Sequence, residues 1–214
     1  MIDLSEIFFS IQGESTRAGL PCIFIRTAGC NLRCSYCDTC YSYEKSFSLS
    51  SIEIINEIER FLPVKLVEIT GGEPLLQEEI YLLINLLNSK RYNVLLETNG
   101  SVSLANIPKY VIKIVDVKCP GSMQAGSFLL DNIKYLTPRD ELKFVISHQE
   151  DYLFAKAFLQ NYRLPEIPIL FSPVKSRLNP DRLANWILKD RLSVRMQLQL
   201  HKYIWPPDRT EGER

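Results

Sequence analysis

Apolar runs of strand length recur along this chain, with helical stripes between them. Residues 22–26, 66–70, 94–98, 111–117, 141–146 and 169–171 are rich in β-branched and aromatic side chains. They read as six strands, with residues 194–198 a candidate seventh. Between the first two, Ser50-Ser51-Ile52-Glu53 has the spacing of a capping box. Ile52, Ile55 and Ile58, with Phe61 and Leu62 behind them, form a helical stripe that Pro63 ends. Pro74 suits the first position of a helix over 75–89, residues 150–161 read as another helix, and Asn179-Pro180 opens one more. Strands alternating with helices make an α/β fold with a mainly parallel sheet. About six units are present, whereas a closed eight-unit barrel needs roughly 250 residues. An incomplete, open (β/α) barrel forming a single domain over 1–214 is therefore expected. In such folds ligands collect at the carboxyl ends of the strands. Four of those ends carry unusual residues: the loop after 22–26, Thr70-Gly71-Gly72-Glu73, Glu97-Thr98-Asn99-Gly100, and Asp116-Val117-Lys118.

The loop after the first strand is the most informative. Of six cysteines, Cys30, Cys34, Cys37 and Cys40 fall within eleven residues. Disulfide frameworks spread their cysteines, so a cluster of this kind points to a metal or an iron–sulfur group. Three thiolates can hold three irons of a [4Fe–4S] cube and leave the fourth open to a ligand. Zinc held by all four cysteines and a ferredoxin-type cluster are the alternatives. Cys22 opens an apolar run and reads as a buried thiol. With 25 basic and 25 acidic residues the chain has no bulk attraction for nucleic acid or an anionic membrane. No apolar run is long enough to span a bilayer, and the first residues have no secretory pattern. The expected compartment is the cytoplasm.

Gly29-Cys30-Asn31-Leu32-Arg33-Cys34-Ser35-Tyr36-Cys37 contains Cys-x₃-Cys-x₂-Cys with an aromatic before the last cysteine. It resembles the signature of the radical S-adenosylmethionine superfamily. Thr70-Gly71-Gly72-Glu73-Pro74 resembles that superfamily's second motif. Further motifs are Glu6-Ile7-Phe8-Phe9-Ser10-Ile11-Gln12-Gly13-Glu14-Ser15, Phe24-Ile25-Arg26, Cys37-Asp38-Thr39, Asp116-Val117-Lys118-Cys119-Pro120-Gly121-Ser122 and Gln199-Leu200-His201-Lys202-Tyr203. Together they resemble the 7-carboxy-7-deazaguanine synthase family, over nearly the whole chain. Cys40 and the stretch from Trp205 to Arg214 depart from the pattern, and no role is assigned to them.

The resemblance implies a lyase of queuosine and other deazapurine biosynthesis. It would convert 6-carboxy-5,6,7,8-tetrahydropterin to 7-carboxy-7-deazaguanine with loss of ammonia, using a [4Fe–4S] cluster, S-adenosylmethionine and Mg²⁺. Cys30, Cys34 and Cys37 would hold the cluster. Tyr36, Cys37, Asp38, Gly72, Asp116, Val117 and Lys118 would border S-adenosylmethionine. Ile11, Gln12, Gly13, Glu14, Arg26, Thr70 and His201 would meet the pterin, with Arg26 pairing bidentately with its carboxylate. Thr39 would be a ligand of Mg²⁺, and Glu97 and Asn99 are further candidates for contact. An electron donor such as flavodoxin or ferredoxin and a homodimer are implied as well. A glycyl-radical activating enzyme shares the first two motifs, and a non-catalytic zinc or iron–sulfur module is the rival from another class.

Overall fold

The structure is a computed structural model that describes residues 1–205; residues 206–214, the end of the tail without an assigned role, lie outside the described residues. In chain order the elements are β1 (Ile2–Ile11), β2 (Pro21–Thr27), β3 (Phe47–Leu49), α1 (Ser51–Ile58), β4 (Leu66–Gly71), α2 (Glu79–Ser89) and β5 (Asn93–Thr98). They continue with β6 (Ile112–Asp116), β7 (Glu141–Ile146), α3 (Gln149–Asn161), β8 (Ile169–Pro173), α4 (Pro180–Asp190), β9 (Arg195–Met196) and α5 (His201–Ile204). The described strands form one sheet in the order β3-β1-β2-β4-β5-β6-β7-β8-β9. From β2 to β9 every pairing is parallel, while β1 runs antiparallel to both β2 and β3. The first and last strands of that order do not pair. This is the open, mainly parallel α/β sheet expected.

Each central strand divides its side chains by period two. On the outer face Ile23, Ile25, Val67, Ile69, Leu96, Leu142 and Phe144 join one large core with Ile54, Ile58, Leu83, Leu87 and Phe158 of the helices. Phe144 packs edge-on against Phe158 and Phe171, with ring centres 5.4 and 5.6 Å away. On the inner face two small apolar clusters, Phe8, Cys22 and Phe24, and Leu95, Ile112 and Ile114, lie toward the amino ends of the parallel strands. Farther along, the inner face turns polar.

The expected capping box is present: Ser50 accepts from the backbone of Glu53, whose side chain bonds back to the Ser50 N–H. The helix expected over 75–89 is broken. Pro74–Leu76 form a single 3₁₀ turn, and α2 starts only at Glu79. Gln77 explains the break, because its side chain is committed elsewhere. It donates to the carbonyls of Asp3 and Ala28 at 2.9 and 3.1 Å and accepts from the Asp3 N–H at 2.8 Å. Asn179 caps α4 by position, without a side-chain bond. The step from β5 to β6 has no helix, and that from β6 to β7 has only 3₁₀ turns.

The sheet leaves a lateral gap between the β1–β2 hairpin and β9, and the C-terminal segment bridges it. Gln197 N–H donates to the Phe171 carbonyl at 3.0 Å, and Leu200 N–H to the Gly13 carbonyl at 2.8 Å. Lys202 Nζ then reaches Asp38 Oδ2 at 2.6 Å. This strip ties the loop after β1, at the amino end of the parallel strands, to the cysteine loop at their carboxyl end.

Candidate active site

One cavity of about 930 Å³ occupies the inside of the open barrel. Its lining includes Cys30, Cys34 and Cys37 at one end and Gln12, Glu14 and Glu68 at the other. Nearly all the residues singled out in the sequence meet here: Ile11, Gly13, Arg26, Tyr36, Asp38, Thr39, Thr70, Gly72, Glu97, Asn99, Asp116, Lys118 and His201 also line it. Val117 does not. It alternates to the outer face, is 1% exposed, and packs in the core, so only its backbone is available toward the cavity.

The three cysteines are half-buried and free, whereas Cys40 is exposed. Cys40 lies outside the lining, its Sγ donating to the Cys37 carbonyl at 3.3 Å. A tetrahedral zinc site with bonds of about 2.3 Å draws its sulfurs within roughly 4 Å of each other. Among the described residues no three His, Cys, Asp or Glu side chains converge to hold a single ion. Three separated thiols on one wall fit a larger group such as an iron–sulfur cube. Burial raises Cys30 and Cys34, with Lys118 opposing the rise at Cys34. Burial also acts on Cys37, but hydrogen bonds from Tyr43 and Thr39 outweigh it and lower that thiol. Thiolates are the ligating form.

The Thr70-Gly71-Gly72-Glu73 turn is locked to this loop. Gly72 N–H donates to the Thr27 carbonyl at 3.2 Å and Glu73 N–H to the Gly29 carbonyl at 2.9 Å. A Cβ on Gly72 would strike the Gly29 backbone and Cys30, and Gly71 has φ +139°. Gly72 is therefore required by the close passage of the cysteine loop, and Gly71 by its backbone angle and by Thr27 at the end of β2. Glu73 is fully buried and bonds to Leu75 N–H, Thr98 Oγ1 and Asn99 N–H at 3.1, 2.8 and 2.7 Å. It sutures this turn to the end of β5. Tyr36 donates to the Val145 carbonyl at 3.1 Å and lies under the Arg177 guanidinium. Asp116 is buried, and its Oδ2 accepts from Lys118 at 2.9 Å. Its Oδ1 has no protein partner among the described residues, so a buried acceptor faces the cavity unsatisfied. A ligand bearing hydroxyl or amino donors fits such an atom.

The other end of the cavity is built by the loop after β1. Because β1 runs antiparallel, this loop enters from the amino ends of the parallel strands. Gln12 Nε2 donates to Glu68, and Gln12 Oε1 accepts the Glu14 N–H at 3.1 Å. Burial, reinforced by the nearby Glu97, pushes Glu68 well above the ordinary carboxylate range. Glu14 accepts from Gln199 Nε2 and from Lys143 Nζ, each at 2.9 Å. Gly13 lies so close to His201 that a Cβ would collide with its ring. Burial lowers His201, against the pull of Glu14 and Asp38. Arg26 gives its Nε to Glu6 Oε1 at 2.8 Å and sits against the Phe8 and Tyr41 rings. That leaves its two terminal nitrogens for an anion in the cavity. Thr70 donates to Glu97 Oε2 at 2.9 Å. Burial would raise Glu97, but Lys143 overrides it and holds the carboxyl at about 2.

Reading the strands singly misses Glu68, Lys143 and Gln199 as cavity groups. A shared signal is present: Glu68 and Thr70, Glu97, and Glu141 and Lys143 stand at alternate positions of their strands, and the register brings them to one face.

Residues 24–120, from β2 through the loop after β6, match the model of the Radical SAM superfamily. A 7-carboxy-7-deazaguanine synthase of Koribacter versatilis is 46% identical over 226 residues, covering 99% of this chain and 100% of that protein. One of Chlorobaculum tepidum is 44% identical, covering 97% of this chain and 96% of the relative. The crystal structure of QueE from Escherichia coli superposes with a TM-score of 0.78 at 24% identity, covering 94% of each chain. The chain belongs to the 7-carboxy-7-deazaguanine synthase family. As a radical S-adenosylmethionine enzyme it takes a [4Fe–4S] cluster and S-adenosylmethionine and acts on a small molecule. No helix among the described residues is long and apolar enough to cross a membrane.

Proposed function

We propose that this chain converts 6-carboxy-5,6,7,8-tetrahydropterin to 7-carboxy-7-deazaguanine with loss of ammonia, in queuosine and related deazapurine biosynthesis. The supporting observation is that one cavity runs from three free thiols to a pocket of fixed donors and acceptors at Gln12, Glu14, Arg26 and His201. When bound, the cluster and S-adenosylmethionine supply one-electron hydrogen-abstraction chemistry. In this reading Cys30, Cys34 and Cys37 hold the cluster. The backbone of Tyr36, Cys37 and Asp38, with Gly72, Asp116, Lys118 and the Val117 backbone, borders S-adenosylmethionine. Ile11, Gln12, Gly13, Glu14, Thr70 and His201 meet the pterin. An electron donor such as flavodoxin or ferredoxin, a cytoplasmic setting and a homodimer complete the proposal. The test is ammonia release under anaerobic reducing conditions. It should require the 6-carboxy substrate, and the 6-hydroxymethyl analogue should give none. Equal release from both would overturn the reading.

Arg26 recognises the substrate carboxylate through its two terminal nitrogens, since Glu6 already takes Nε. Arg26→Lys keeps the charge but loses the fork, and calorimetry should show pterin binding weakened by roughly 1–3 kcal/mol. Binding of S-adenosylmethionine should barely change; equal losses would make Arg26 a support of the fold.

Thr39 offers its hydroxyl, 3.6 Å from Cys37 Sγ, to Mg²⁺. One neutral oxygen is a poor site for an ion that prefers six, so the substrate must supply others. Metal and pterin should therefore tighten each other by the same factor. Thr39→Val should remove most of that coupling in a titration with and without Mg²⁺ while leaving the iron content intact. Coupling that survives the substitution would exclude Thr39 from the metal.

A further inference from the structure

We propose that Lys143 is a positioning residue that fixes the acceptor wall of the substrate pocket, aiming the carboxylates of Glu14 and Glu97 at the N–H edge of the pterin ring. The proposal rests on the pterin reading above and names the group that makes the pocket selective.

Lys143 stands on β7 with a side chain only 3% exposed. Its Nζ meets carboxylates from three other parts of the chain. Glu14 Oε2 of the loop after β1 is at 2.9 Å, Glu97 Oε1 of β5 is in hydrogen-bond contact, and Asp116 Oδ2 of β6 is at 3.5 Å. An ammonium has three donors and no acceptor, so one side chain can serve all three. The two substrate-side carboxylates are each held from a second direction as well: Glu14 by Gln199 at 2.9 Å and Glu97 by Thr70 at 2.9 Å. Lys143 is the group they share, and it fixes the spacing between them. Both line the cavity. Without the lysine, Glu14 and Glu97 would be left close to each other and to Glu68 on the cavity wall, where like charges raise one another.

Burial works against a charged lysine, but the three carboxylates outweigh it and keep Lys143 well above its ordinary range. The other ionisable groups that interact with this cluster are Glu68 on β4, Lys118 after β6, Arg26 on β2 and His201 on α5. After burial, Lys143 is the largest influence on Glu97, ahead of Thr70 and Lys118, so removing its charge should release Glu97 toward the raised range that burial favours. A carboxyl with a raised value is lost as an acceptor when the pH falls through it. The ionised carboxylates are the form that accepts from a ring bearing adjacent N–H donors.

The test uses anaerobic, cluster-loaded protein, titrated calorimetrically with 6-carboxytetrahydropterin and separately with S-adenosylmethionine between pH 6 and 8.5. Pterin affinities are compared as the ratio of variant to wild type, which cancels titration of the ligand itself. Lys143→Met should weaken pterin binding about tenfold or more at high pH, as expected when a buried charged partner is removed. The ratio should worsen as the pH falls, with S-adenosylmethionine affected less than threefold. Lys143→Arg restores the charge with a different reach, so its ratio should be flat with pH and weakened by only a few fold. A pH-independent ratio for Lys143→Met, or equal loss of both ligands, would overturn the proposal. Should Lys143→Met not fold, Lys143→Arg decides: selective weakening of the pterin supports positioning, while unchanged or equal affinities contradict it. Wild-type protein that binds no pterin would overturn the functional reading itself, and this proposal with it.

Discussion

Replacing Cys34 with alanine should strip the protein of its cluster and of S-adenosylmethionine cleavage, while replacing Cys40 should leave about four irons per chain and the cleavage intact. The two residues differ in where they point. Cys34 lines the cavity with Cys30 and Cys37, close enough to Lys118 to feel its charge. Cys40 is exposed, outside the lining, and bonded to a backbone carbonyl. A cube with three protein ligands keeps one iron open, and a fourth thiolate would close it. Iron and sulfide analysis of anaerobically purified variants, with the visible spectrum, measures the effect. Loss of iron in Cys40→Ala with retention in Cys34→Ala would reverse the assignment.

Asp140→Ala should destabilise the fold by about 3–5 kcal/mol without touching the cavity, because it leaves a buried ammonium unpaired. Lys113 and Asp140 are 1% and 0% exposed, with Nζ and Oδ2 2.8 Å apart. Asp140 also accepts from the N–H of Lys113 at 2.7 Å and from Thr137 N–H and Oγ1 at 2.6 and 2.9 Å. It thus joins the start of β6 to the turn before β7, where the crossover has no α-helix to brace it. Thermal unfolding should shift on the order of 10 °C for a chain of this size. Lys113→Met with Asp140→Leu should recover most of the loss, since an apolar pair leaves no orphaned charge. A shift under 2 °C in Asp140→Ala would show that water reaches the lysine.

The parallel strands, the cysteine loop and the Thr70-Gly71-Gly72-Glu73 turn were legible because their signals are local. β-branched runs, clustered thiols and a glycine pair before a proline each carry their meaning within a few residues. β1 was not legible as a strand. Its Glu6-Ile7-Phe8-Phe9 stretch stands out only as part of a motif of the resemblance, which runs on through residues 11–14. Only the antiparallel pairing with β2 shows that the loop after β1 enters the barrel from the opposite end. Lys143 was hidden for a different reason. Residues 141–144 alternate polar and apolar, the usual pattern of a strand with one wet face. Here both faces are buried, the outer one under helices and the inner one around polar groups that neutralise each other. A single strand cannot report that its polar side meets carboxylates from β5, β6 and the loop after β1. The break at Gln77 likewise depends on partners at Asp3 and Ala28, far away in sequence.

Mass analysis of the product is the most direct test of the central claim, that one cavity holds the cluster at one end and turns over a carboxylated pterin at the other. Cluster-loaded protein would be incubated anaerobically with 6-carboxytetrahydropterin, S-adenosylmethionine, Mg²⁺ and a reductant, and both small molecules followed by chromatography and mass spectrometry. The account predicts 7-carboxy-7-deazaguanine in many-fold excess over enzyme. S-adenosylmethionine cleaved without any deazaguanine, or a pterin returned unchanged by protein with a full complement of iron, would contradict it.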